Sequence, residues 1–495
     1  MKINRPEDIA LILPPRRLRE RRYSLGILYV SAYLRQHGYD NVILENKFLG
    51  KQFYQRQTNE QIEKGIIDKL VEIKPRVIGF TSSTIEINDV IEMNKKIRQQ
   101  IDAVSIIGGP HVTAAPKEVL EKGFDIAVIG EGEETVFELI KELEKDNPNL
   151  SLVNGIVWKN EKNQIITNPS RELIDISNLV MPAYDKFYMD RYLVVSDETL
   201  RGVPIKAAIV MASRGCPYPC TFCACNKVFG RRVRYRNLEN IRVEIKTLKH
   251  QYGAEGIWFA DDTMTISKEH VQKICQLMKE EGMLWGAQAR VDLADEETIK
   301  LMKESGCIQL EFGVESGNQR VLDEIIKKGV TIEQAEKTFA LCHKYNIRTH
   351  AAFMIGLPTE TQEEVIQTFQ FVKKIKPNWY AFSIFAPLPG TYLYDHYYAP
   401  GEIDLVDYKK ISFHKTIDKF NRSKVKNLDK LFSQWRRELF EGVKWRNLSH
   451  PFFFIKLFFI MPNKLERADF LFFKFCRLIK YLLNKLGFNF SLHGR

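Results

Sequence analysis

Cysteine is scarce in this chain of 495 residues. There are eight, too few for a disulfide scaffold of this length. Long apolar runs are missing too: none approaches the roughly 18 residues a membrane-spanning helix requires. The opening residues Met1-Lys-Ile-Asn-Arg-Pro lack the apolar stretch of a secretory signal, so a cytoplasmic protein is expected. No internal repeat or low-complexity tract is visible, and no G-x-G-x-x-G dinucleotide fingerprint. With 44% hydrophobic and 27% charged residues, the chain is neither disordered, collagen-like nor a polytopic membrane protein. The net charge of +11 favours an anionic partner, whether nucleic acid, acidic lipid or a phosphorylated substrate.

What is present is alternation. Short β-rich runs at Ile9 to Leu13, Val42 to Leu44, Val77 to Thr81, Ser105 to Ile107 and Asp125 to Ile129 are separated by helical patterns. That spacing predicts a doubly wound, flavodoxin-like parallel sheet over residues 1–148. Its carboxyl-edge loops are small, Gly-rich or polar, which suits a large ligand: Pro14-Pro15, Ser82-Ser83-Thr84, Gly108-Gly109-Pro110-His111 and Gly130-Glu131-Gly132-Glu133. A hairpin and a proline-bearing linker are expected over 149–200. Six further strands within 201–400, beginning near Ala207, Gly256, Leu284, Ile308, Thr349 and Trp379, suit a partial (β/α)6 TIM-like barrel with its chemistry at the strands' carboxyl ends. Residues 401–495 read as a helical region rich in Lys, Arg and Phe.

Four of the eight cysteines fall within ten residues. Cys216, Cys220 and Cys223 make a C-x3-C-x2-C loop whose thiolates can hold three irons of a [4Fe-4S] cluster and leave the fourth iron open. The alternatives are a zinc site completed by Cys225, or a closed four-cysteine electron-transfer cluster. Cys225 lies only two residues past Cys223, an awkward spacing for one tetrahedral ion.

This loop, with Phe222 before its last cysteine, resembles the radical S-adenosylmethionine (SAM) superfamily, and the resemblance runs from about Ala207 to Pro389. Ile257-Trp-Phe-Ala-Asp261-Asp262-Thr263, Gly286-Ala-Gln-Ala-Arg290, Phe312-Gly-Val-Glu315-Ser316-Gly317 and Met354-Ile-Gly356-Leu-Pro358-Thr-Glu360 look like its second to fifth strand segments. The resemblance implies a SAM site that includes Phe222, Asp261, Asp262, Arg290, Glu315, Ser316, Gly356 and Pro358. Within it, SAM chelates the open iron, Arg290 meets the SAM carboxylate, Glu315 and Ser316 bond ribose or amino groups, and Gly356 lets backbone approach adenine. Read without the resemblance, Asp261 and Asp262 are loop or cap residues, and Arg290 and Glu315 are ion-pair partners within the barrel.

A second resemblance covers the first domain. Gly108-Gly-Pro-His-Val-Thr-Ala-Ala-Pro116 and Asp125-Ile-Ala-Val-Ile-Gly-Glu-Gly-Glu-Glu134 look like the cobalamin-binding domain of cobalamin-dependent radical SAM enzymes. The implied corrin site comprises Leu25, Gly26, Ser82, Ser83, Thr84, Gly108, Gly109, His111, Val112, Thr113, Gly130, Glu131, Gly132 and Glu133. Small residues suit a flat ring lying on backbone. The D-x-H-x-x-G motif that gives cobalt an axial histidine elsewhere is absent, and His111 is equally a loop or cap residue. Nucleotide binding on a flavodoxin-like sheet is the other reading of this domain.

The family implies an enzyme using a [4Fe-4S] cluster, SAM and cobalamin: SAM is cleaved to a 5'-deoxyadenosyl radical that takes hydrogen from an unactivated carbon. C-methylation of a hydrophobic substrate is the first expectation, with methyl passed from cobalamin. Oxidative ring closure like that of the anaerobic magnesium-protoporphyrin monomethyl ester cyclase is the second, and a cobalamin and cluster sensor without turnover the third. A low-potential donor of flavodoxin or ferredoxin type is implied. Between Pro451 and Arg495 stand eleven Phe residues among Lys and Arg. This basic, aromatic pattern suits peripheral contact with an anionic membrane, or a cap on the barrel, better than nucleic acid.

Overall fold

The computed structural model describes residues 1–15, 23–45, 58–411, 417–448 and the single residues 415, 463, 467, 468 and 471. In the first domain, strands β1 (Ile9–Ile12), β2 (Val42–Leu44), β3 (Val77–Thr81), β4 (Val104–Gly108) and β5 (Ile126–Val128) are parallel. Every residue of β1 and β5 is buried, as expected where helices cover both faces. The chain passes from β1 outward to β2 and then back across to β3, and such a reversal opens a crevice at the strands' carboxyl edge.

The hairpin expected between the first domain and the linker extends this sheet. β6 (Ile156–Lys159) pairs antiparallel with β5, and β7 (Ile165–Thr167) pairs with β6, giving the order β2-β1-β3-β4-β5-β6-β7. The β5 edge carried unpaired backbone groups, and buried Ile156 and Val157 satisfy and cover it. The connection that follows is packed core, with Ile176, Tyr184, Tyr192 and Leu200 all buried.

The second sheet is all parallel. β8 (Ala207–Val210), β11 (Gly256–Phe259), β12 (Leu284–Ala289), β13 (Cys307–Glu315), β14 (Arg348–Ile355) and β15 (Trp379–Ile384) follow one another in space in chain order, as in a partial barrel. A short antiparallel pair, β9 (Ser213–Arg214) with β10 (Arg234–Tyr235), frames the cysteine loop after β8. Thr331 and Thr361 close capping boxes with Gln334 and Glu364, fixing where two barrel helices begin. Buried Leu200 packs against the strands: a Cβ at Gly286 would lie 2.6 Å from its Cδ2, so glycine there makes room for it.

The Phe-rich stretch from Pro451 onward lies outside the described residues except at four positions. One of these, Arg467, is fully buried; its guanidinium meets both oxygens of Glu255, at 2.8 and 2.7 Å, at the amino end of β11. Asn463 donates to the same carboxylate, and the Arg467 Nε–H reaches the Pro204 carbonyl. Here the tail is fastened to the barrel. Among the described residues no helix is long and apolar enough to cross a membrane.

Candidate functional site between the two sheets

The cysteine loop is held from every side. Gly215 has φ +98°, and a Cβ there would fall 2.4 Å from the Arg232 carbonyl oxygen, so the loop can enter only through glycine. Thr221, between Cys220 and Cys223, is buried; its N–H donates to the Ile326 carbonyl and its hydroxyl to that of Ile325. Around it Cys216 and Cys220 are half-buried and Cys223 is exposed. The Cys225 N–H points at the Cys223 sulfur, 3.4 Å away. An amide donor to a ligating sulfur is one means by which a protein tunes an iron-sulfur cluster.

Cys225 turns elsewhere. Its thiol bonds to Asp262, and burial first, then that carboxylate, raises its pKa. Among the described residues no three His, Cys, Asp or Glu side chains converge as the ligands of a single ion. A cubane takes one thiolate per iron, so its three cysteines stand further apart than ligands around a single zinc.

Several residues assigned to SAM are instead engaged with the chain itself. Asp261 is fully buried and accepts from the Ala212 amide at 2.7 Å and the Ser213 hydroxyl at 2.5 Å. Asp262 does line the cavity described below, and it accepts from the Gly215 amide. Arg290 forks onto Asp292 at 3.0 and 3.1 Å through Nε and Nη2, donates to the Lys328 carbonyl and stacks 3.4 Å over the Tyr218 ring of the cysteine loop. Glu315, at φ +65°, accepts from Lys328 Nζ at 2.7 Å. Ser316 is buried against Thr368, and Phe222 packs on the core.

Gly356 is required by the chain's own packing. Its φ is +75°, and a Cβ there would lie 2.5 Å from Leu428 Cδ2, so the C-terminal region packs on it. Pro358 beside it is buried. The Gly356 and Leu357 amides both donate to Oε2 of Glu360, a fully buried acid whose Oε1 has no hydrogen-bond partner among the described residues. Burial pushes the Glu360 pKa up to about 8, against the pull of those two bonds. The stabilisation from a neutral Glu360 is therefore complete below the unfolded value near 4.5 and lost as pH rises through about 8. Thermal melting should show stability declining across that window, and Glu360→Gln, whose amide oxygen accepts the same two bonds, should lose much of the decline.

On the opposite wall stand the glycine loops of the first sheet. Gly109 has φ +105°, and a Cβ there would sit 2.6 Å from the Ser82 carbonyl oxygen. Thr113 ties two loops together, donating to the Gly109 carbonyl and accepting from the Gly130 amide, both at 3.0 Å. Ser82, Ser83, Thr84, His111, Val112 and Thr113, expected against the corrin, are not among the residues that line the cavity described below. After Gly109 the chain enters a one-turn helix, Pro110–Ala114, whose His111 and Val112 are buried in the domain. His111 faces Thr84, Glu118 and the Tyr408 ring, and burial holds its pKa down at about 4, so it is neutral.

Leu25, Gly26, Gly108, Gly109, Gly130, Glu131, Gly132 and Glu133 do share one cavity of about 610 Å³. Its far wall is made by Ile209, Met211, Trp258, Asp262, Cys225 and Phe229 of the barrel and cysteine loop, while Leu11, Gly79 and Ile106 extend it along the first sheet. The residues would suit a flat macrocycle held on glycine backbone beside an apolar trough.

The sequence reading missed the residues that join the two walls. Arg214, two positions before Cys216, reaches Glu131 Oε1 and Glu133 Oε1 at 2.7 Å each, and Arg234 holds Glu131 from the other side at 2.8 Å. Burial disfavours the Arg214 charge, but Glu133 and Glu131 outweigh it and raise the pKa. The presence of Glu131 and Glu133 in one loop was visible in the sequence; their partners, 81 to 103 residues away, were not.

A glycine-looped parallel sheet facing, across one cavity, a partial barrel whose first loop carries three cysteines defines a class: the radical SAM enzymes that carry a cobalamin-binding domain. Residues 210–372 match the radical SAM superfamily, and residues 18–140 match the B12 binding domain. An uncharacterized methyltransferase of Pyrococcus horikoshii is 32% identical, with 83% of this chain and 86% of that protein covered. The anaerobic magnesium-protoporphyrin IX monomethyl ester cyclase of Rubrivivax gelatinosus is 27% identical over 83% of this chain and 72% of its own. Among solved structures, the radical SAM methyltransferase TsrM of Kitasatospora setae, with cobalamin and a [4Fe-4S] cluster bound, shares the fold at a TM-score of 0.62 and 18% identity, covering 78% of this chain and 74% of its own. The chain belongs to the cobalamin-dependent radical SAM enzymes, and its cofactors are a [4Fe-4S] cluster, SAM and cobalamin.

Proposed function

We propose that this enzyme methylates an unactivated carbon of a small, largely apolar molecule. The observation that carries the reading is the single cavity that the glycine loops share with Arg214, Ala224 and Cys225, residues that flank the three cluster cysteines. A group carried on one wall can meet a substrate activated at the other without leaving protein. Both relatives above are 27% identical or more, and one bears a methyltransferase name, the other a cyclase name.

Cys216, Cys220 and Cys223 hold the cluster, and the backbone of Gly108, Gly109, Gly130 and Gly132 carries the corrin face. When bound, the cluster and SAM supply a carbon-centred radical and the corrinoid a transferable methyl group. The chain's own residues do the rest. Asp261, Asp262, Thr221 and Arg290 stacked on Tyr218 keep the three sulfurs in one arrangement. Ile209, Met211 and Trp258 give the barrel side of the cavity an apolar wall that excludes water and favours an apolar reacting part. A flavodoxin or ferredoxin type protein supplies electrons at the exposed Cys223 side. The fastening of Arg467 supports a capping role for the C-terminal region over a membrane-bound one.

Anaerobic turnover with SAM deuterated at its methyl group and a cell lipid extract, read by mass spectrometry, tests this. Methylation puts the deuterated methyl into a product while 5'-deoxyadenosine accumulates. 5'-Deoxyadenosine without label in any product would favour oxidative ring closure, and none at all a non-catalytic sensor.

A further inference from the structure

The walls of the cavity are joined by buried charge where apolar packing would serve stability as well. Arg214 is 2% exposed, and Glu131 and Glu133 are 3% exposed each. Taking such groups out of water costs several kcal/mol per ion before pairing repays it, and well-packed apolar side chains are often as stable. What a forked guanidinium between two carboxylates adds is geometry: two parallel bonds admit one relative placement of the loops that bear them.

Those loops are the ones that matter. Glu131 and Glu133 flank Gly132 in the turn that lines the corrin side, and Gly215 alone separates Arg214 from Cys216. Arg234 sits opposite Arg214 in the β9 and β10 ladder and grips Glu131 at 2.8 and 3.0 Å, so the bridge is braced. Arg214 also lies 5.1 Å over the Tyr29 ring and 5.5 Å over that of Phe229, an apolar collar that keeps water from the ion pairs. Arg214 lines the cavity too, while its Nε is buried away from it.

We propose that Arg214 is a positioning residue that ties the corrinoid loop to the cluster loop, so that filling either site orders the other. This holds whatever group the enzyme transfers, because it rests on the two cofactor sites alone. Linkage makes the effect reciprocal: a corrinoid that favours the cluster-competent loop must itself bind more tightly when the cluster is present.

The test is an anaerobic titration of hydroxocobalamin into cluster-free and cluster-loaded protein, followed by absorbance. The loaded wild-type should bind about tenfold more tightly, within the usual range of coupling between sites. Adding hydroxocobalamin to protein with an oxidised, isotopically labelled cluster should also change the Mössbauer spectrum of the iron. In Arg214→Lys, which keeps the charge and loses the fork, the ratio should fall toward one and the spectral change should vanish. Equal wild-type affinities with and without cluster would overturn the proposal, as would full coupling in Arg214→Lys. Should that variant lose its cluster, Glu133→Ala decides, because it removes the acceptor of one arm of the fork and leaves Glu131 in place; unchanged coupling there overturns the proposal, and several-fold weaker coupling supports it.

Discussion

Anaerobically reconstituted Cys220→Ala protein is expected to hold no [4Fe-4S] cluster, and the same loss is expected for Cys216→Ala and Cys223→Ala. With one of three thiolates gone, the cluster keeps only two protein ligands and is shed. The visible absorbance of the cluster should disappear and formation of 5'-deoxyadenosine fall to background. Cys225→Ala should behave oppositely, since that side chain bonds to Asp262 and only its backbone amide meets Cys223. Full cluster absorbance in Cys220→Ala, or its complete loss in Cys225→Ala, would refute the ligand assignment. Corrinoid binding to the glycine loops should survive in all four proteins, though weakened wherever the cluster is lost.

A second large effect is expected at the opposite end of the barrel. Arg467→Ala leaves Glu255 buried with its guanidinium partner removed, and breaking a buried pair in this way costs about 3–5 kcal/mol. Glu255 also accepts from the Lys206 amide at the entry to β8, so the strand that leads to the cysteine loop loses its anchor as well. Chemical denaturation should report the loss, and removal of residues 451–495 should reproduce it. Replacing both partners, Arg467→Met with Glu255→Gln, should recover part of the stability because no uncompensated charge remains. A truncated protein as stable as the full chain would show that the tail does not cap the barrel.

The strands were legible almost to the residue. Ile9-Ala-Leu-Ile and Ala207-Ala-Ile-Val are unbroken apolar runs because helices cover them on both sides, and such runs announce parallel strands without any partner being known. The hairpin at Ile156 was equally visible as two strands. Its place was not: nothing local says that it closes the β5 edge rather than standing in the linker. The cysteine loop was legible because cluster ligands come from one short stretch with a fixed spacing.

Side-chain roles divided differently. Gly109 and Gly132 were read as surfaces for a flat ligand, and they line the cavity. Arg290 and Gly356 were read as SAM contacts, yet one stacks on Tyr218 and the other makes room for Leu428, partners at separations of about seventy residues. His111, a natural candidate beside two cavity glycines, is turned away by the helix that starts at Pro110.

By itself, then, the sequence determined the two sheets, the cysteine loop and the glycine loops, because hydrophobic periodicity, ligand spacing and the freedom of glycine are properties of neighbouring residues. Tertiary structure alone decided which charges meet: Glu131 and Glu133 with Arg214 and Arg234, Asp261 and Asp262 with the cysteine loop, Arg467 with Glu255. A charged side chain in a sequence has many possible partners in water and pairs strongly only where folding buries it, so its role depends on the residue that arrives from elsewhere in the chain.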